Sequence, residues 1–231
     1  MKLLIDGDTL TYRAAFSNDG QTVTGVCEKL DELMSNILNV TNPYATEHDY
    51  QVFLTGKGNF RNDLTETYKA NRSGKEKPIL LPLARQYLID SYNATVSEGE
   101  EADDAIAIEA TRLHPNCVIV SVDKDFRQIA GTIYNPGKDT WETVTEEAAR
   151  LNFYEQVLTG DRVDNIIGVH KVGPKTAQKM LANCKTDGEM FKVCVAAYEG
   201  DVDRVIMNAR LLWLRRYEGE LWEPPCDYEK D

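Results

Sequence analysis

Eight acidic residues hold most of the chemical potential of this chain: Asp6 near the N-terminus, then the blocks Glu101/Asp103/Asp104, Asp123/Asp125 and Asp161/Asp164. If folding gathers them, their charges conflict. Two carboxylates about 4 Å apart repel by roughly 4 kcal/mol at an effective dielectric near 20, so such a cluster requires cations between its members. Hard oxygen ligands without paired Cys or His select Mg2+ or Mn2+ over zinc, and neighbouring carboxylate groups can hold two such ions. The expected chemistry is metal-assisted hydrolysis of a phosphodiester.

Each block also has a plainer reading. Acids in EEADD, Glu100 to Asp104, open a helix, where negative charge complements the helix dipole. Glu101 and Asp104 share a face, and Asp103 is displaced around the axis toward a different ion or a metal-bound water. In VSVDKDF two carboxylates follow an apolar strand, which puts them at a sheet edge or in a solvated turn. The third block leads into GVHKVGPKTA, where Gly168 and Gly173 bracket a tight turn and Pro174 opens a helix that does not need its N–H. Gly168, Val169, Lys171, Gly173, Lys175 and Thr176 then form a hairpin offering backbone N–H groups and a helix N-terminus to a DNA phosphate. Such contacts read no sequence and weaken with salt. In TYKANR, Lys69 and Arg72 lie three apart beside Tyr68, cations to hold a scissile phosphate and a ring to stack a terminal base.

These groups need a scaffold. The first 135 residues alternate strand-like and helix-like segments, predicting an α/β layer with a mostly parallel central sheet. Lys2 to Ile5, Gln51 to Leu54 and Cys117 to Val122 read as buried strands. Leu30, Leu33, Met34, Ile37 and Leu38 follow helical spacing, as does the stretch from Ala102 to Leu113. Asp6, Asp123 and Asp125 then fall at strand exits, the edge at which open α/β sheets bind ligands. After Asn135 the pattern is helical, with Glu146 to Leu158, Pro174 to Leu181, Met190 to Tyr198 and Val202 to Tyr217 the clearest segments. The expected division is an α/β core over residues 1–140 and a helical module over 141–231.

A net charge of −12 over 231 residues argues against a nucleic-acid partner only if charge is uniform. It is not. Arg61, Lys69, Arg72 and Lys75 cluster in one stretch, and Gly168 to Lys185 contains Lys171, Lys175 and Lys179 with no acid. Five scattered cysteines without CxxC spacing exclude a disulfide framework or a zinc site, and His48, His114 and His170 lack metal-ligand spacing. The N-terminal apolar run reaches Asp6 too soon for a signal peptide or membrane span, so a soluble, cytoplasmic protein is expected.

Taken in order, IDG, YKANR, EADD, the DxD of VSVDKD, and GDRVDN followed by GVHKVGPKTA resemble the 5′ nuclease superfamily of flap endonucleases and 5′-to-3′ exonucleases, most nearly the small phage-type stand-alone exonucleases. The resemblance runs from Lys2 to about Leu181. It implies a PIN-like sheet domain, a helix-three-turn-helix module, two Mg2+ or Mn2+ ions, and K+ in the hairpin at Gly168, Val169 and Val172. By motif position it makes Asp6, Glu101, Asp103, Asp104, Asp123, Asp125, Asp161 and Asp164 the metal-site acids and Lys69 and Arg72 the phosphate-polarising cations. Arg13 becomes a 5′-end contact, and Arg61 a further DNA contact. The implied partners are DNA with a 5′ end and replication or recombination proteins.

Two departures stand out. Family members carry an aspartate after the second strand, where this chain has Thr55 and Gly56, and Asp8 or a water is the expected compensation. Only Ser73 to Ile79 separates YKANR from the next helix, too short for a full arch around a 5′ arm. Stepwise 5′-to-3′ removal of nucleotides from duplex DNA is therefore expected over flap cleavage, with a non-catalytic DNA-binding accessory role as a further alternative. LLIDGDTL also fits a haloacid-dehalogenase phosphatase, with Asp6 as nucleophile and Asp8 as acid/base.

Overall fold

A computed structural model describes residues 1–17, 22–74 and 76–228; Lys75 of the basic stretch lies outside them. In chain order the elements are β1 (Lys2–Asp6), α1 (Gly7–Ala15), α2 (Val23–Thr41), β2 (Tyr50–Thr55), α3 (Phe60–Leu64), α4 (Leu81–Tyr92), β3 (Thr95–Ser97), α5 (Ala102–Leu113) and β4 (Cys117–Val120). There follow β5 (Gly131–Asn135), β6 (Thr140–Val144), α6 (Glu146–Thr159), β7 (Gly160–Asp161), β8 (Ile166–Ile167), α7 (Pro174–Leu181), α8 (Asp187–Ala197) and α9 (Val202–Leu212), with 3-10 turns at Ala70–Arg72 and Lys124–Gln128. They divide into two compact units. The first comprises Met1–Asn59, Gly74–Phe126 and Gly131–Thr143; the second comprises Phe60–Ser73, Arg127–Ala130 and Val144–Asp231. The TYKANR segment thus belongs with the helical unit, although it lies far from it in sequence.

In the first unit a six-stranded sheet runs β3-β2-β1-β4-β5-β6, and the pairs β3/β2, β2/β1, β1/β4 and β4/β5 are parallel. Leu3, Ile5, Val52, Leu54, Val118 and Val120 point into one core, against Leu30, Leu33, Met34 and Ile37 of α2. Fully burying each such aliphatic side chain contributes about 1.5–3 kcal/mol. The third expected strand stops at Val120 rather than Val122, with Ser121 N still donating to Tyr134 O of β5 at 3.2 Å. Helix α1, not foreseen, begins directly after β1. Gly7 allows this: a Cβ there would lie 2.7 Å from the Phe53 carbonyl oxygen.

The second unit is helical around its own core, where Phe153, Val157, Leu158, Leu181, Phe191 and Val205 meet. The last helix ends at Leu212, short of the expected Tyr217. Buried side chains take its terminal carbonyls: Arg61 Nε donates to Leu211 O (2.8 Å), Arg61 Nη2 to Trp213 O (2.7 Å) and Gln128 Nε2 to Leu212 O (2.9 Å). With its C-terminal acceptors satisfied, the helix has no need of another turn. No helix among the described residues is long and apolar enough to cross a membrane.

Candidate active site

Asp6 closes β1 and caps α1, accepting from Thr9 N at 3.0 Å and Thr9 Oγ1 at 2.5 Å. Ser121, just past β4, donates from Oγ to Asp6 Oδ2 at 2.7 Å and accepts from Asp123 N at 3.0 Å. Asp123 Oδ1 in turn accepts from Asp125 N at 2.9 Å. The parallel register of β1 and β4 therefore becomes a hydrogen-bonded chain joining Asp6 to the DxD block. Ser121 was missed by sequence reasoning; its signal is a hydroxyl residue two positions before the first aspartate of DxD, where Asx- and Ser-type turns form.

The EADD acids enter from the N-terminus of α5. Asp104 is fully buried and reaches back to accept from Glu101 N at 3.2 Å. Asp103 is half-buried and meets the other acids: burial, then the charges of Asp6, Asp123, Glu101 and Asp104, push its carboxyl well above the usual carboxylate range. Burial likewise raises Asp6, against the lowering hydrogen bonds of Thr9 and Ser121, with Asp8 adding to the rise. Asp103, expected off the face shared by Glu101 and Asp104, still feels the charges of both, along with those of Asp6 and Asp123. Asp103 is where their repulsion accumulates. Among the described residues no group of three or more His, Cys, Asp or Glu side chains forms a ready cage for an ion. The donor set still fits a hard divalent cation, because all its members are carboxylates at one sheet edge and a cation relieves the repulsion at Asp103.

The departure at Thr55 has a structural consequence. Thr55 Oγ1 accepts from Ala102 N at 2.9 Å, capping the helix that carries the acids, and Thr55 N donates to Asp8 Oδ2 at 2.9 Å. Arg85 binds both Asp8 and the Thr55 carbonyl. A Cβ on Gly56 would fall 2.0 Å from the Ser97 carbonyl oxygen, so no acid fits there either. Asp8 does not take the place of the absent aspartate. Its charge is neutralised by Arg85, which also removes it as the acid/base of a phosphatase site.

In the second unit the TYKANR turn is laced to the Asp161–Asn165 loop. Lys69 N donates to Asp164 O (3.0 Å), Arg72 Nε to Val163 O (3.3 Å), and Asn165 Nδ2 to Thr67 O (2.8 Å). Asp164 accepts from Arg72 Nη2 at 2.5 Å and Tyr68 Oη at 3.1 Å, with Lys69 Nζ 3.5 Å away. Asp161, buried, accepts from Val163 N at 2.7 Å. Two expected DNA contacts are corrected here. Arg61 is 1% exposed and bound to the α9 carbonyls, and Tyr68 is 6% exposed with its ring in the core, so neither side chain reaches a nucleotide.

From Asp161 the chain forms a two-stranded ribbon in which β7 pairs antiparallel with β8. Gly160 has φ +66°, and a Cβ on Gly168 would lie 2.2 Å from the Thr159 carbonyl carbon, so two glycines let the strands cross at backbone contact. Val169 N then donates to Leu158 O and Val172 N to Val169 O, closing the turn ahead of Pro174 at the start of α7. Lys171, Lys175 and Thr176 are exposed on it, while Val169 and Val172 pack toward the core. Arg13 is exposed on α1 of the first unit.

A parallel sheet with carboxylates gathered at its strand exits, together with a helical unit bearing a glycine hairpin, defines an α/β protein of the PIN-like 5′ nuclease fold. Residues 1–157 match the family model of the 5′-3′ exonuclease N-terminal, resolvase-like domain, and the chain belongs to that family. DNA polymerase I of Bacillus caldotenax is 32% identical over 206 residues, covering 78% of this chain but 23% of that protein. The 5′-3′ exonuclease of Buchnera aphidicola is 29% identical over 199 residues, 78% of this chain and 69% of that one. The bacteriophage T5 flap endonuclease, solved as a pseudo-enzyme-product complex with DNA and metal ions, aligns with TM-score 0.70 at 16% identity over 91% of this chain and 88% of its own. That likeness establishes the fold. This chain spans only about a quarter of the polymerase relatives' length.

Proposed function

We propose that the protein is a Mg2+- or Mn2+-dependent nuclease removing nucleotides 5′-to-3′ from the ends of double-stranded DNA and leaving 5′-phosphates. The observation that carries this reading is the gathering of Asp6, Glu101, Asp103, Asp104 and Asp123 at the carboxyl edge of a parallel sheet, where burial and then the four other acids push the Asp103 carboxyl up. On the first unit Asp6, Glu101, Asp103, Asp104, Asp123 and Asp125 are the acids that would hold a metal ion; Asp161 and Asp164 are the candidate metal-site acids of the second unit taken by itself. A divalent ion held by those acids would supply Lewis acidity toward the attacking water and the leaving 3′ oxygen. Lys69 and Arg72 hold the phosphate and stabilise the charge that grows on it. They pair with Asp164 now, so substrate phosphate and Asp164 compete for them. Gly168 to Thr176 acts as a helix-three-turn-helix grip on the DNA backbone, Gly168, Val169 and Val172 are the residues that would hold a K+ ion, and Arg13 meets the 5′ end. The similarity to proteins named DNA polymerase I favours replication or recombination proteins as partners.

Exonuclease action is favoured over flap cleavage because the 3-10 turn ending at Arg72 and α4 beginning at Leu81 leave too short a link for an arch. A non-catalytic DNA-binding role is the second reading, motivated by Thr55, whose hydroxyl caps α5 where a further acid was expected. One experiment separates these: end-labelled duplex, nicked and 5′-flap DNA digested with Mg2+ or EDTA, with products sized from each end. Mononucleotides released from duplex 5′ ends support the proposal. Long flap oligonucleotides alone, or no Mg2+-dependent cleavage, overturn it.

A further inference from the structure

Helix α9 buries a stripe of Val205, Ala209 and Leu212, yet on the same buried surface it carries an asparagine, Asn208, 7% exposed. A buried amide costs about 1–3 kcal/mol unless its hydrogen bonds are made, so an apolar residue would serve the core better. Both donor hydrogens of its amide are used: Nδ2 donates to Ile167 O at 2.9 Å and to Tyr198 Oη at 2.9 Å. Tyr198, also buried, donates from its hydroxyl to Val157 O on α6 at 2.6 Å. Arg204 lies over the Tyr198 ring, 5.1 Å from its centroid, and reaches the same Ile167 carbonyl at 3.5 Å.

Ile167 is the last residue of β8, immediately before Gly168, and Val169 N is tied to Leu158 O one residue beyond Val157. The glycine hairpin is therefore hung from α6 at two adjacent positions, one bond direct and the other passing through Tyr198 and Asn208. Ile167 is also paired with Gly160 in the ribbon, and Asn208 adds the side-chain tie on the strand that enters the hairpin.

We propose that Asn208, with Tyr198 behind it, is the positioning residue of the DNA grip: it sets the strand entering the hairpin and thereby the affinity for duplex DNA, without touching DNA or the reacting atoms. This rests on reading the hairpin as a phosphate-binding element. The test uses the full chain. Binding of a 5′-phosphorylated duplex is followed by fluorescence anisotropy in EDTA, and kcat and KM are measured with Mg2+. Asn208→Ala raises Kd and KM about tenfold, equivalent to about 1.4 kcal/mol, with kcat at saturating DNA within about twofold of the parent. Tyr198→Phe, which keeps the ring, moves both constants the same way by about threefold, roughly half that free energy, and decides alone if Asn208→Ala does not fold. A fall in kcat with Kd and KM unmoved, or no change in either variant, overturns the inference. A parent protein that binds no duplex sinks the nuclease reading instead.

Discussion

Asp103 and Asp164 are both half-buried aspartates near the start of a functional loop or helix, but their surroundings are opposite. Asp103 is surrounded by other acids, and its carboxyl is forced up by burial and by four like charges. Asp164 is surrounded by partners: Arg72, Lys69 and Tyr68 all approach its two oxygens. The first unit has assembled charge that must be neutralised from outside, while the second carries its own counter-ions. Asp6 and Asp8 repeat the contrast two residues apart, since Asp8 is matched by Arg85 and Asp6 has only hydrogen bonds from Thr9 and Ser121. Carboxylates close together in the chain thus differ in whether the protein supplies a cation for them.

Asp103→Asn tests this contrast most severely. Turnover with Mg2+ should fall by on the order of 10^2–10^3, because a group that binds charge in the transition state is gone. Stability in EDTA should move the other way. A carboxyl raised in the folded state stabilises fully below its unfolded pKa, and that contribution is lost as pH rises through the higher folded value. From the ordinary value of 3.8 upward the parent protein in EDTA should therefore lose stability with pH, and Asp103→Asn should flatten that loss and raise the melting temperature at pH 7 by a few degrees. A variant that melts lower than the parent at neutral pH without metal would mean that Asp103 is not a site of repulsion.

Arg72 offers the next largest effect. Arg72→Ala should lower kcat about 10^2-fold if the guanidinium serves substrate phosphate, with Asp164→Asn producing a loss of its own. A double-mutant cycle then distinguishes a catalytic cation from one that merely holds Asp164. If the double variant is no slower than either single one, the two residues act only through each other, and the assignment of Arg72 to phosphate fails.

Arg85→Ala should leave Asp8 without its cation and free the Thr55 carbonyl, costing about 1–2 kcal/mol for a pair that is partly exposed. Because Thr55 also caps α5, metal affinity measured by calorimetry should fall with it. Unfolding in urea that is unchanged in both midpoint and slope would show that this network is not what holds the α5 acids in place.

Much of this was legible from the chain. The strands of β1, β2 and β4 were readable because buried parallel strands form short apolar runs, and α2, α5 and α7 because their apolar residues repeat at helical spacing. The acids showed themselves as blocks at strand ends. What escaped notice depends on contacts distant in sequence. Arg61 lies in a basic stretch and looks like a phosphate contact, but its partners are carbonyls 150 and 152 residues away. Tyr68 looked like a base-stacking platform for the same reason, and Tyr217 looked helical until Arg61 and Gln128 ended α9. Ser121 and Asn208 are single polar residues whose value lies in where their partners arrive, which no local pattern reports.

The smallest effect concerns Lys175, exposed in the first turn of α7. Its position carries no internal role of the kind Asn208 has, so Lys175→Ala should leave melting unchanged within about 0.5 kcal/mol. Binding should weaken a few-fold near physiological salt and more at low salt, because one phosphate contact releases fewer counterions. The slope of log Kd against log salt should fall by about 0.9 for a single lost contact. Asn208→Ala, by contrast, should weaken binding while keeping that slope, provided the displaced hairpin still makes its ionic contacts through exposed lysines. Equal slopes for the parent and Lys175→Ala would mean that this lysine does not meet phosphate, leaving Lys171 and the backbone groups of the hairpin to bind DNA.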